Sequence, residues 1–140
     1  MRLDQTAQST DFDVYMPFVE HLGFRLLDKR DGTAMVGYDP KPEHFNSWKA
    51  VHGGAVLSLL DVALSSACRA LDDECIGCLT VEMKANFIAA AVGPVVAHAK
   101  AQRAGRSLLF AEGEVRDASG TMLAKAVGTF KLIYPPGSKE

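Results

Sequence analysis

Two short stretches of this 140-residue chain hold residues whose type and spacing could do chemistry. The first is His52-Gly53-Gly54, where a loop with two prolines gives way to a long apolar run. The first amides of a helix lack internal partners, and the helix dipole makes that end positive. Two glycines there let a ligand oxygen approach the backbone without meeting a Cβ. Such a place suits an oxyanion or a polarised carbonyl. The same tripeptide also fits a tight turn in which His52 only caps the helix. The second feature is Asp61, the only charged residue between His52 and Arg69. A carboxylate in an apolar helix must face solvent or sit in a pocket with partners. In a partly dry pocket it becomes a usable base near neutral pH. A solvent-facing stripe of Ser58, Asp61, Ser65 and Arg69 is the competing reading.

The elements that must position these groups follow from periodicity. Gly54 to about Leu71 reads as one long helix, with Ser58, Asp61, Ser65, Arg69 and Asp72 on a narrow polar stripe. The remaining surface is apolar, so other elements must wrap it. Upstream, Phe12, Tyr15, Val19 and Leu22 recur at helical spacing before Gly23, with Pro17 inside the pattern. Phe24 to Tyr38 reads as two extended pieces around Asp31-Gly32, and Asp39 to Ala50 as a loop. Beyond the long helix the period falls to two. Leu79, Val81, Met83, Ala85 and Phe87 alternate with Thr80, Glu82, Lys84 and Asn86, predicting a strand with the first set buried. Val95 to Arg103, Ser107 to Arg116 and Met122 to Tyr134 follow as strands joined by turns, predicting an antiparallel sheet. Alanine at many core-facing strand positions lets that sheet approach a helix closely. The class is α+β in a single domain, 1–140, with residues 1–11 and 135–140 as tails. Sheet edges poor in charge invite pairing with a second copy.

Composition narrows the function. Hydrophobic residues at 48% and charged residues at 23% match a globular domain and exclude disorder. A net charge of −2 argues against nucleic acid as a partner. No stretch reaches the ~20 apolar residues of a membrane span, and the polar start lacks a signal peptide's apolar core. Cys68, Cys75 and Cys78 are too few for a disulfide framework, which fits a reducing, cytoplasmic setting. Cys75-x-x-Cys78 has redox or zinc-like spacing, but a second ligand pair is missing, so the three read as structural thiols and no metal is expected.

The pattern Asn46-x5-His52-Gly53-Gly54-x6-Asp61, followed by Thr80-Val81-Glu82-Met83-Lys84-Ala85-Asn86-Phe87, resembles the hotdog-fold acyl-CoA thioesterases of the phenylacetate-pathway type. The likeness extends from about Pro17 to Ile133. It implies a curved antiparallel sheet wrapped around one central helix, acting on acyl-CoA without metal or organic cofactor. It further implies that Asp61 serves as general base or nucleophile and that the Gly53 amide polarises the thioester carbonyl. Asn46 would hold the carbonyl or the water, His52 would shape the site, and Thr80 would help place the water. Gly54 would also lie against the substrate.

Helix geometry adds a constraint of its own. Eight residues separate Gly53 from Asp61, about 12 Å at 1.5 Å per residue. One helix cannot bring both groups to one thioester. Two antiparallel copies can, so the enzyme reading requires a homodimer with composite sites, extendable to a tetramer. For the CoA phosphates the candidates are Arg103, Arg106, Ser107 and Lys84, with Arg forks suited to phosphate oxygens and a solvated turn as the competing reading. Trp48 and Phe45 either line an acyl pocket or anchor the loop. A hotdog dehydratase or hydratase and a non-catalytic acyl-CoA sensor are the alternatives to hydrolysis.

Overall fold

The computed structural model describes residues 12, 14–105 and 107–138. The first helix, α1, spans Pro17–Leu22 and ends at Gly23 in the left-handed conformation, φ 76°. It is shorter than its apolar spacing predicts. Proline fits the first helical turn, where its missing N–H costs nothing, but it disfavours helix in the residue before it. Phe12 is buried against the core all the same. Strands β1 (Arg25–Arg30) and β2 (Thr33–Tyr38) form the expected hairpin. Its turn residues, Asp31 and Gly32, both take positive φ, as tight hairpins require.

After a short 3-10 turn at Pro42–His44 comes the central helix α2, Gly53–Arg69. It starts one residue earlier and ends two earlier than its pattern suggests. Leu59, Leu60, Ala63, Leu64, Ala67 and Cys68 on it are fully buried. Ser58, Asp61, Ser65 and Arg69 are half-buried rather than solvent-facing. Strands β3 (Gly77–Phe87), β4 (Val95–Arg103), β5 (Leu108–Asp117) and β6 (Met122–Ile133) complete one sheet. Its order is β1-β2-β4-β5-β6-β3, antiparallel throughout. Ala97, Ala99, Ala101, Ala111, Ala124 and Ala126 face α2 and are buried, which is what lets the sheet curl closely around it.

Two expectations fail, and both bear on function. Strands β3 and β4 are not a hairpin: β3 pairs with β6 and ends as a free edge. Ile88 and Ala89 donate their amides to the Leu123 carbonyl, and Ala91 accepts from the Val51 amide. The connection containing Gly93-Pro94 is thereby tied across the sheet's end and cannot fold back on β3. The strict alternation along β3 also breaks. The register with β6 shifts between Thr80 and Glu82, leaving Val81 as an extra residue. Before the bulge Cys78 and Thr80 turn toward the helix, whereas Leu79 and Val81 are more than half exposed. After it Met83 and Ala85 take the inner face and are half-buried.

Candidate active site

His52 determines which amide at the start of α2 is available. Its Nδ1 accepts the Gly54 N–H at 2.8 Å, and the amides of Ala55 and Val56 donate to the His52 carbonyl at 2.9 and 3.2 Å. Among the described residues the Gly53 N–H alone of these four has no partner. It sits at the positive end of a 17-residue helix. Gly54 is therefore no substrate contact through its amide. A Cβ there would come within 3.0 Å of the His52 Nδ1, so the second glycine makes room for the cap.

Gly53 opens into a cavity of about 370 Å³. Its polar wall includes Asn46, and its apolar walls include Trp48, Val56, Phe87, Ile88 and Leu123. The Asn46 Oδ1 accepts the Trp48 and Ala50 amides at 2.8 and 3.2 Å. Because two N–H groups donate to it, that atom must be the oxygen, and the remaining polar group is the side-chain NH2, a donor. The two aromatic residues of this loop part company. Trp48 is 87% exposed at the cavity mouth, while Phe45 packs on the core and its strand bridge to Val51 anchors the loop.

Asp61 does not border that cavity. Its partner is Thr80, whose hydroxyl donates to the Asp61 Oδ1 at 2.6 Å. The β3 bulge is what aims Thr80 inward, toward the Asp61 carboxylate on the helix. The chain thus carries two separate halves: an amide donor pair in an apolar cavity at the start of α2, and an oriented carboxylate two turns further along, beside the free edge of β3.

The basic residues proposed for CoA scatter. Arg103 lies at the other end of the molecule, 3.7 Å from Asp72; the Asp72 Oδ2 also accepts the Tyr134 hydroxyl at 2.6 Å. That bond, together with the Glu74 amide on Asp72, holds the Asp72 carboxyl below its ordinary value of 3.8. Ser107 follows the turn after β4 at the same end. Arg106 lies outside the described residues. Lys84 points to the sheet face away from α2, where with His98, Lys100, Glu112 and Lys125 it lines an open groove. Within one chain it cannot meet Asp61. From the sequence His44 reads as a surface or packing residue, and the structure makes it a packing one. It is buried, its Nδ1 bonded to the Tyr38 hydroxyl at 2.7 Å, and its carbonyl holds the His52 amide at 2.9 Å. Burial pushes the Tyr38 phenol up to about 12, so it remains a donor. No periodicity could have singled out a loop histidine that braces the cap.

One helix enclosed by a six-stranded antiparallel sheet, with an open amide at the helix start and a carboxylate on its flank, defines the hotdog class. The family description "Thioesterase superfamily" matches residues 49–124, more than half of the chain and the stretch that holds the His-Gly-Gly turn, Asp61 and Thr80. The chain belongs to the thioesterase superfamily. An Archaeoglobus fulgidus protein named as an inferred esterase is 30% identical over 85% of this chain and 79% of its own length. A Saccharolobus solfataricus protein of similar name is 28% identical over 80% of each. The structure of a conserved Pseudomonas aeruginosa protein superposes with TM-score 0.79 at 32% identity, covering 85% of this chain and 95% of that one. The Escherichia coli PaaI protein of the phenylacetic acid degradation operon shares the fold, with TM-score 0.76 at 19% identity and 83% coverage of each chain. These relationships support a hydrolase-type activity.

Proposed function

We propose that the protein is an acyl-CoA thioesterase that works as a homodimer, each site taking Gly53 and Asn46 from one chain and Asp61 and Thr80 from the other. The observation that carries this reading is the separation of the two halves. α2 runs unbroken from Gly53 to Arg69, so Gly53 and Asp61 stand about 12 Å apart along its axis. Neither half suffices alone. The free edge of β3, with Leu79 and Val81 exposed beside it, supports antiparallel pairing with a second β3, which lays two α2 helices side by side.

In that arrangement the Gly53 N–H and the Asn46 NH2 donate to the thioester oxygen and stabilise the charge that builds there in the transition state. Asp61, aimed by Thr80, takes a proton from water as that water attacks the carbonyl carbon. The tetrahedral intermediate collapses with loss of the CoA thiolate, which takes up the proton. The acyl group fits the cavity walled by Val56, Phe87, Ile88 and Leu123. Proton transfer of this kind contributes about 10²–10⁴ in rate. The test is release of free thiol from a panel of acyl-CoAs of varied length and aromaticity. Asp61→Ala should lower turnover by at least ~10² with the fold intact by circular dichroism, and full activity in that variant would overturn the assignment. Single turnover in isotopically labelled water supplies a further check: label in Asp61 would show that it attacks as a nucleophile and would overturn the base assignment.

A further inference from the structure

Both groups that would donate to the carbonyl are carried by one small hairpin ahead of α2. His44 and His52 form its base, the His52 amide donating to the His44 carbonyl at 2.9 Å. Phe45 bridges Val51 in the next pair, and the Asn46 amide donates to the Ala50 carbonyl at 2.7 Å. The tip is tight enough that Lys49 takes a positive φ of 60°. Asn46 therefore stands on one arm and Gly53 directly follows the other. The hairpin thus sets the spacing between the Asn46 NH2 and the Gly53 N–H.

The second arm is tied by the Val51 amide to the Ala91 carbonyl at 2.8 Å and runs on into α2. The first arm is held through the His44 ring, which is buried. Its Nδ1 lies 2.7 Å from the Tyr38 hydroxyl and 3.2 Å from the Lys41 amide nitrogen. An amide can only donate, so Nδ1 carries no proton and the hydroxyl must donate as well. The ring proton is then on Nε2, which is buried without a hydrogen-bond partner among the described residues. An apolar side chain would fill this space without burying an unpaired N–H, so what the ring adds is the Nδ1 acceptor. Tyr38 is a firm anchor for it. It ends β2, pairs with Val95 of β4, and its ring meets Phe24 edge-on at 4.8 Å. Among the described residues no other side-chain hydrogen bond joins the hairpin to the sheet.

We propose that Tyr38 and His44 are positioning residues for the carbonyl-side donors, their hydroxyl–imidazole bond holding one arm of the hairpin against the sheet. Neither lines the cavity; they act through Asn46 and Gly53. Oxyanion donors work when they stand about 2.7–3.1 Å from the developing charge. Slack between the two arms therefore weakens the transition state more than the bound thioester. The effect on rate rests on the proposed function; the rooting of the hairpin does not.

Tyr38→Phe is the decisive variant. It keeps the ring against Phe24 and leaves the His44 Nδ1 with the Lys41 amide, so no buried group is orphaned. Amide hydrogen exchange, read by NMR, should rise at least about tenfold at Asn46 and His52 while β4 and β5 keep wild-type rates. On an acyl-CoA that the wild type hydrolyses, kcat should fall about tenfold with KM within about twofold. His44→Leu should change both readouts in the same direction. His44→Asn, whose side-chain oxygen stands two bonds beyond Cβ as Nδ1 does, should recover both. Wild-type exchange at Asn46 and His52 in Tyr38→Phe, or a rise shared equally by β4 and β5, overturns the proposal. An unchanged kcat, or a loss carried by KM alone, refutes the link to the donors. A wild type that releases no thiol from any acyl-CoA refutes the proposed function instead, and the exchange rates then judge the rooting by themselves.

Discussion

Two inactive variants mixed in one dimer should restore activity if the site is divided between chains. Asp61→Ala deletes the carboxylate from both sites of a homodimer. Asn46→Asp keeps an oxygen for the Trp48 and Ala50 amides, and so keeps the loop, but removes the NH2 donor from both sites. Loss of a base costs at least ~10² in rate and loss of a carbonyl-side donor about 10²–10³, so either homodimer should sit near 1% of wild type or below. In the mixed dimer one site draws Asp61 from the Asn46→Asp chain and Asn46 from the Asp61→Ala chain, and is whole. The other site carries both defects. A mixed dimer purified through two different affinity tags should therefore show about half the wild-type turnover per dimer, given two equivalent sites in a symmetric pair. That is roughly 50-fold above either parent on the same estimate. The assay is thiol release from an acyl-CoA that the wild type hydrolyses, with the mixed state verified by mass spectrometry. A verified mixed dimer no more active than its parents would show that each site belongs to one chain, and the 12 Å argument would fall.

Thr80→Val should lower kcat about 10- to 100-fold with little change in KM, because a hydrogen bond to a charged group is worth ~1.5–3 kcal/mol; Thr80→Ser should recover most of it in steady-state kinetics. Gly128→Ala should cost about 1–3 kcal/mol in urea unfolding, since a Cβ there would stand 2.8 Å from the Glu82 carbonyl and 2.9 Å from the Phe130 ring, at the pairing that holds the edge strand β3. Asp72 gives an acid dependence of definite sign. Its folded-state value lies below the ordinary 3.8, so its stabilisation is present in full above about pH 4 and is lost as pH falls through the lowered value. Tyr134→Phe should flatten that loss, measured as unfolding midpoint against pH between about pH 2 and 5.

The candidate groups are legible in the sequence because they rest on local features. A lone carboxylate in an apolar helical run stands out on composition, and a His-Gly-Gly turn announces a helix start whatever packs around it. Helix rise alone separates Gly53 from Asp61. Where the reading failed, a non-local pairing decided. Alternation predicted Leu79 and Val81 inside, but β3 is an edge strand with one neighbour, and the bulge opposite β6 reverses its faces. Likewise, short turns suggested that β3 pairs with β4, whereas the sheet closes through β6. Lys84 illustrates the cost: its type suits a phosphate, but the register puts it on the face away from Asp61.

The sequence by itself determined the long apolar helix, the carboxylate on its flank, the glycine-bearing start and the distance between them. These depend on backbone geometry over fewer than ten residues. Only the tertiary structure decided that His52 takes the Gly54 amide and leaves the Gly53 N–H open, and that Thr80 reaches Asp61. Each of those contacts depends on sheet register or cap conformation, which the packing of the whole core selects and no local pattern encodes.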